Sequence, residues 1–194
     1  MITIFSAAKF KTIPWKNGLG HTTELAISDG GNLDDFDWRL SIASVVNDGD
    51  FSNFAGYQRN LILIEGNGLI LDHRNGDVDK LTKLLDISHF DGASKTHGAL
   101  VNGGIKDFNI MTKQGSFAAQ IDTYPAKKQV SLSPNSGTLV FAYSLSGDMT
   151  IEHDKNTTNV TEGALVQLEN QADNQSAITI TGENMIIIQL TELQ

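Results

Sequence analysis

The sequence predicts an all-β protein, a sandwich or barrel with little helix, and three observations carry that prediction. Turn dipeptides are dense: Asn-Gly at Asn17, Asn67, Asn75 and Asn102, and Asp-Gly at Asp29, Asp48 and Asp91. Both pairs supply the positive φ that tight hairpins need. Between the turns lie short runs rich in β-branched and aromatic residues. Finally, there is an internal echo: Gly56 and Gly66 bracket one run, Gly137 and Gly147 another, and both glycines shift by 81 residues. The echo reads either as coincidence, Gly being common at strand ends, or as two copies of one β unit. Two halves of roughly 95 residues would each be large enough for a core.

The expected strands follow in order. In the first half they are 25–27, 38–46, 60–64, 69–72, 108–112 and 117–123. In the second they are 128–132, 138–145, 149–153, 164–168, 177–181 and 185–190. Run 38–46 alternates most clearly: Trp38, Leu40 and Ile42 take one face, Arg39, Ser41 and Ala43 the other. Run 107–111 alternates the same way, with Phe108 and Ile110 opposite Asp107, Asn109 and Met111. The best helical candidate is 77–85. A division into 1–113 and 114–194 is expected, with strands that can cross between the two.

Composition narrows function. A net charge of -9 argues against nucleic acid and against an anionic membrane surface as partners. It leaves room for a small anion in a locally basic pocket. The absence of cysteine excludes disulfides, thiolate nucleophiles and Cys-ligated zinc. Residues 1–16 do not read as a secretory signal, and no apolar run approaches the ~20 residues of a membrane span. A cytoplasmic protein is expected.

Both tryptophans and two of the three arginines fall between Trp15 and Leu71. Large aromatics and guanidinium groups in one segment suggest that something polar is gripped. Arg39, beside small neighbours, suits a carboxylate in bidentate geometry if its face lines a cavity, and solvent if it does not. Arg59 opens run 60–64 and reads as a second anion ligand or a surface charge. Asp107 and Asn109, two polar groups on one strand face, could orient a ligand amide. The turn Lys16-Asn17-Gly18-Leu19-Gly20 could bring backbone amides to an anion, but the lysine and hydroxyl that end a phosphate loop are missing. Glu24 reads as an edge charge or a pocket group. The five histidines are dispersed, with no His-x-His pair, so no metal and no other cofactor is expected. No Gly-x-Ser-x-Gly elbow is present.

Trp15-Lys16-Asn17-Gly18-x-Gly20-x-Thr22-x-Glu24, Asp37-Trp38-Arg39-x-Ser41-x-Ala43 and Asp48-Gly49-x-Phe51-Ser52-x-Phe54-x-Gly56-x-x-Arg59 together resemble the HutD/Ves family. Glu65-Gly66-x-Gly68 and Asp107-Phe108-Asn109-x-Met111 extend the resemblance. It covers residues 10–115 by motif and the remainder by strand pattern. It implies a cupin-like, two-barrel (bicupin) chain without a cupin metal. It also implies a protein that binds a small anionic metabolite, with formylglutamate the usual proposal, linked to histidine utilisation or stress. Leu19, Thr23 and Ala93 depart from the family pattern, and an Arg commonly stands at the place of Thr23.

The expected ligand-binding residues are therefore Trp15, Lys16, Asn17, Glu24, Arg39, Ser41, Arg59 and Asn109, with no catalytic residue. Trp38 is a wall or pure core. Arg39 and Arg59 are expected to serve the ligand more than the fold, so that truncation would leave the melting temperature nearly unchanged. The rival is an Arg39 pair with Glu65 or Asp107. Other readings are a metal-free isomerase or epimerase using His21 or Glu24 as base, and a homodimer or interaction module with an exposed edge such as 185–190.

Overall fold

The computed structural model describes residues 2–15, 20–135, 137–169 and 177–193. Its strands in chain order are β1 (Ile2–Phe5), β2 (Lys11–Pro14), β3 (Gly20–Ile27), β4 (Trp38–Val45), β5 (Gly49–Asp50) and β6 (Tyr57–Glu65). Next come β7 (Leu69–Asp72), β8 (Val78–Leu81), β9 (Ile87–Asp91), β10 (His97–Leu100) and β11 (Ile105–Lys113). The rest are β12 (Phe117–Tyr124), β13 (Lys128–Leu132), β14 (Thr138–Ser144), β15 (Met149–His153), β16 (Asn156–Val160), β17 (Leu165–Glu169), β18 (Ile178–Gly182) and β19 (Met185–Glu192). The helix among the described residues is one 3-10 turn, Ala7–Lys9. The all-β class expected from the turn spacing is the class observed.

Contacts divide the chain into Phe10–Ser116 and a second unit of Met1–Lys9 with Phe117–Gln194. The division falls just beyond the 113/114 boundary because β11 runs to Lys113 and a turn follows, Ser116 N donating to Lys113 O at 3.1 Å. The first nine residues belong with the C-terminal strands because β1 pairs antiparallel with β17, Ile2 opposite Leu168.

The 10–116 unit holds a six-stranded sheet, β2-β3-β4-β11-β6-β9, and a four-stranded sheet, β5-β10-β7-β8. The other unit holds a five-stranded sheet, β1-β17-β14-β19-β12, and a four-stranded sheet, β13-β18-β15-β16. The orders β4-β11-β6-β9 and β12-β19-β14-β17 correspond strand for strand, as do the two four-stranded sheets. The glycine echo therefore marks equivalent strand ends, and Gly56, Gly66, Gly137 and Gly147 all have positive φ.

Two expectations are corrected. Residues 77–85 are not helical: β8 and a turn occupy them, because Val78–Leu81 pairs with Leu69–Asp72 across the Asn75-Gly76 turn. Run 185–190 is not an edge: β19 lies between β14 and β12.

Each unit has its own core. In the 10–116 unit, Val45, Leu61, Leu63, Leu69, Leu71, Leu81, Phe90 and Ile105 form one buried cluster. In the other, Val140, Ala142, Met149, Ile151, Val166, Ile178, Ile180 and Ile187 belong to one. At roughly 1.5–3 kcal/mol per buried large apolar side chain, these clusters dominate the stability of each unit. Among the described residues, the buried arginine and carboxylate side chains are Arg39, Arg59 and Asp107, all in the 10–116 unit.

A candidate anion site inside the first β unit

Strands β4, β11 and β6 lie side by side, and their register places the alternate residues named above on one face. Met111 pairs with Arg39 on one side and Arg59 on the other; Asn109 pairs with Ser41 and Leu61; Asp107 pairs with Ala43 and Leu63. Strand β3 adds Glu24 opposite Ser41. Leu61 and Leu63 pack with Leu69, Leu71 and Leu81 of the four-stranded sheet, so this face points into the unit. Arg39, Ser41, Arg59, Asp107 and Asn109 are all buried. The alternative of a solvent-facing Arg39 is excluded.

Each arginine is held differently. Arg39 Nε donates to Glu24 Oε2 at 2.8 Å. This pair replaces the expected internal partners, for Glu65 is exposed and takes Lys106 Nζ at 2.6 Å. Glu24 is thus an inward half-buried partner and no edge charge. Arg59 sits among three rings, its guanidinium carbon 5.2 Å from the Phe51 centroid, 5.6 Å from Phe54 and 5.1 Å from Phe90. Its Nη1 donates to Ser52 O at 3.2 Å. Such a cage attracts the cation through the ring quadrupoles, more strongly when it is desolvated. Burial lowers the Arg59 pKa to about 10, against the opposing pull of Asp107. Burial raises the Asp107 carboxyl to about 7, Arg59 counteracting only in part.

Three polar atoms on this face are buried without a hydrogen-bond partner in the protein: Arg59 Nε, Asp107 Oδ2 and Asn109 Oδ1. Such atoms are rare in native interiors, since each costs about 1–3 kcal/mol when left unpaired.

The remaining expected site residues divide. Trp15 joins the apolar cluster and its Nε1 donates to Thr22 Oγ1 at 2.8 Å. Trp38 is buried on the face opposite Arg39, as core. Lys16 and Asn17, with Leu19, lie outside the described residues. His21 is exposed, on the face of β3 opposite Glu24. Thr23 also lies on that opposite face, bonded to Thr12, so the departure at Thr23 takes no cation from the inward face. Sequence reasoning missed the ring cage, although Phe51, Phe54 and Phe90 were legible as residues. It offered Asp107, with Asn109, as a group that could orient an amide, and left Asp107 out of the expected ligand-binding residues.

A separate cavity of ≈ 450 Å³ opens beside β8 and β9, lined by Gln58, His73, Asp79, His89, Phe90 and Asp91 among others. His73 is fixed there by Thr96 Oγ1 at 2.9 Å and Asp79 Oδ2 at 3.2 Å. Phe90 lines this cavity and also caps Arg59. Among the described residues, no group of three or more His, Asp or Glu side chains could hold a metal ion, and no helix is long and apolar enough to cross a membrane.

The cage depends on one close approach. A Cβ at Gly92 would lie 2.3 Å from Phe54 O and 2.9 Å from Tyr57 O. Gly92 N donates to Tyr57 O, and Phe54 N donates to Gly92 O, both at 2.8 Å. Gly92→Ala is therefore expected to push the Phe54 turn off Arg59 and to cost about 1–3 kcal/mol by urea denaturation. An unchanged midpoint would show that the turn moves freely and that the cage is not fixed by it.

A family model described as HutD matches residues 7–188. A Pseudomonas putida protein, described as an uncharacterized 21.2 kDa protein in the hutC 3' region, is 34% identical over 145 residues, 74% of each chain. Protein Ves of Escherichia fergusonii is 33% identical over 118 residues, 60% of this chain and 61% of Ves. Among solved structures, HutD from Pseudomonas fluorescens SBW25, in a formate condition, is similar with a TM-score of 0.85, 28% identity and 100% of both chains covered.

Proposed function

The chain belongs to the HutD family, and from that premise we propose that it is a non-catalytic binding protein for a small anionic metabolite. The ligand is held inside the 10–116 unit, with Arg59 as its anion partner and Asn109 and Asp107 facing its polar groups. One observation carries this reading: a caged arginine, a carboxylate and an amide each present a buried atom that the protein leaves unpartnered. A ligand with a carboxylate and an N–H or O–H donor would pair all three. The other unit's core cluster is apolar, which favours a single site per chain. Arg39 is engaged by Glu24, and Ser41 stands two residues along the same face.

A binding role fits the two bases weighed from the sequence, Glu24 and His21, better than catalysis does. Glu24 is occupied by Arg39, and His21 is exposed on the outward face. Neither is a free base directed at the interior. The name of the Pseudomonas putida relative, which refers to a hut gene region, supports a ligand of the formylglutamate type and a role in histidine utilisation.

Thermal-shift titration tests the proposal directly. N-formylglutamate or formate, but not histidine, is expected to raise the melting temperature. Ligand at ~100 times its dissociation constant adds about 2.7 kcal/mol. No shift from either carboxylate, with a shift from histidine, would overturn an anion site.

A further inference from the structure

Besides Tyr57, whose hydroxyl accepts from Phe36 N, and the exposed Lys113 at the strand end, paired with Asp35, the described ionisable groups on the inward face of β3, β4, β6 and β11 are four: Glu24, Arg39, Arg59 and Asp107. Arg39 and Glu24 neutralise one another at 2.8 Å. Arg59 has Asp107 as the carboxylate acting on it, and Arg39 as a like charge. With Asp107 ionised, the four groups sum to zero. A ligand carboxylate on Arg59 would add a second anion to one cation, where Arg59 and Asp107 are 5% and 1% exposed. Two carboxylates in one desolvated space do not both stay ionised at modest cost.

The surroundings offer no other charge to absorb the anion. Strand β9 contributes the neutral Ser88 and Phe90 beside Leu61 and Arg59. The facing sheet contributes Leu69, Leu71 and Leu81, and with them Asp79, opposite Leu71, another acid and no cation, whose Oδ2 is taken by Ser88 Oγ and His73 Nε2. His73, at the end of β7, has both ring nitrogens engaged, by Thr96 and Asp79. The group that can restore neutrality is Asp107 itself. Once protonated, its carboxyl carries an O–H that can donate to a ligand oxygen.

Resting on the anion-binding reading above, we propose that a carboxylate binds at Arg59 together with one proton, taken up by Asp107, so that the two carboxyl groups share it. The site then discriminates by basicity: a ligand carboxylate shares the proton that Asp107 takes up from solvent, whereas a sulfonate of the same shape is too weak a base to share it and gains less. Because burial, even against the pull of Arg59, already brings the Asp107 carboxyl to about 7, the proton is available near neutral pH.

Calorimetry with N-formylglutamate at pH 8, in phosphate and in Tris, counts the protons, because the two buffers differ in ionisation enthalpy. Wild-type protein is expected to take up about one proton per ligand, and its affinity to fall about tenfold per pH unit above 7. Asp107→Asn is expected to bind with no uptake and a flat pH profile. Binding to the wild type without uptake would overturn the coupling and leave the anion site standing. Uptake that persists in Asp107→Asn would overturn the assignment to Asp107. Should that variant fail to fold, carboxyl signals of ¹³C-aspartate-labelled wild type report the same event. An Asp107 signal that stays ionised on binding overturns the proposal. Absence of binding by both N-formylglutamate and formate from pH 6 to 8 would overturn the site and the coupling together.

Discussion

Arg59→Ala is expected to destabilise the protein by about 3–5 kcal/mol and to abolish any carboxylate-induced stabilisation. Arg59 and Asp107 form no ion pair and act on one another only at longer range, so removing the arginine leaves a buried carboxyl without the opposing charge that acts on it. Here the survivor is Asp107, 1% exposed. The truncation also empties the space among Phe51, Phe54 and Phe90, whose ring contacts with the guanidinium are lost. This revises the expectation from sequence that truncation leaves the melting temperature nearly unchanged. That expectation assumed an arginine reaching into a wet pocket, and the side chain is instead packed. Arg59→Lys separates the two roles. It keeps a positive charge acting on Asp107 and loses the planar fork that matches a carboxylate. Urea denaturation should place Arg59→Lys between wild type and Arg59→Ala, with ligand affinity down by more than tenfold. If Arg59→Ala costs under about 1 kcal/mol, the cage is ordinary packing and the charge acting on Asp107 is energetically idle.

The same residue shows how far the sequence could be read. Alternation in 38–46 and 107–111 identified the two faces of β4 and β11, because a period of two leaves little freedom once one face is apolar. The inward side was legible on β4 from Arg39 and Ser41, and on β11 from Asn109. What alternation does not contain is the neighbour across the sheet. That Met111 stands between Arg39 and Arg59 is a matter of register over a separation of more than fifty residues. The Arg39 partner was missed for the same reason. Glu24 reaches it from β3, where a bulge between Glu24 and Ala26 shifts the register. A bulge leaves no mark in the sequence that distinguishes it from a regular strand. The helix expected over 77–85 failed because a short apolar spacing fits both periods, and pairing with β7 decided it. The correspondence of the two units was legible only in their turns: glycines stand at equivalent strand ends while the interiors differ. One core holds arginine and carboxylate inside, and the other's buried cluster is apolar.

Asp107→Asn is expected to flatten the stability of the protein between pH 4 and pH 8. The direction follows from proton counting. A carboxyl whose folded value is about 7, against 3.8 ordinarily, binds a proton in the folded state across that window while the unfolded chain has released it. Stability is therefore greatest, as far as this group is concerned, below the unfolded value, and it declines as pH rises through the folded one. The full difference corresponds to about 4 kcal/mol. Wild type should lose this amount from pH 4 to 8 relative to Asp107→Asn, measured as the difference between the two urea-denaturation series. Carboxylates elsewhere act on both proteins alike and cancel in the comparison. The absolute stability of the variant at pH 8 is a weaker guide, because asparagine removes both the desolvated charge and the opposing charge that acts on Arg59. A saturating carboxylate ligand should steepen the wild-type decline and leave the variant unmoved, since only the wild type can bind the proton that accompanies it. Parallel pH profiles for the two proteins would mean that Asp107 is ionised throughout, held by Arg59 more firmly than its burial opposes, and that no proton moves at this site.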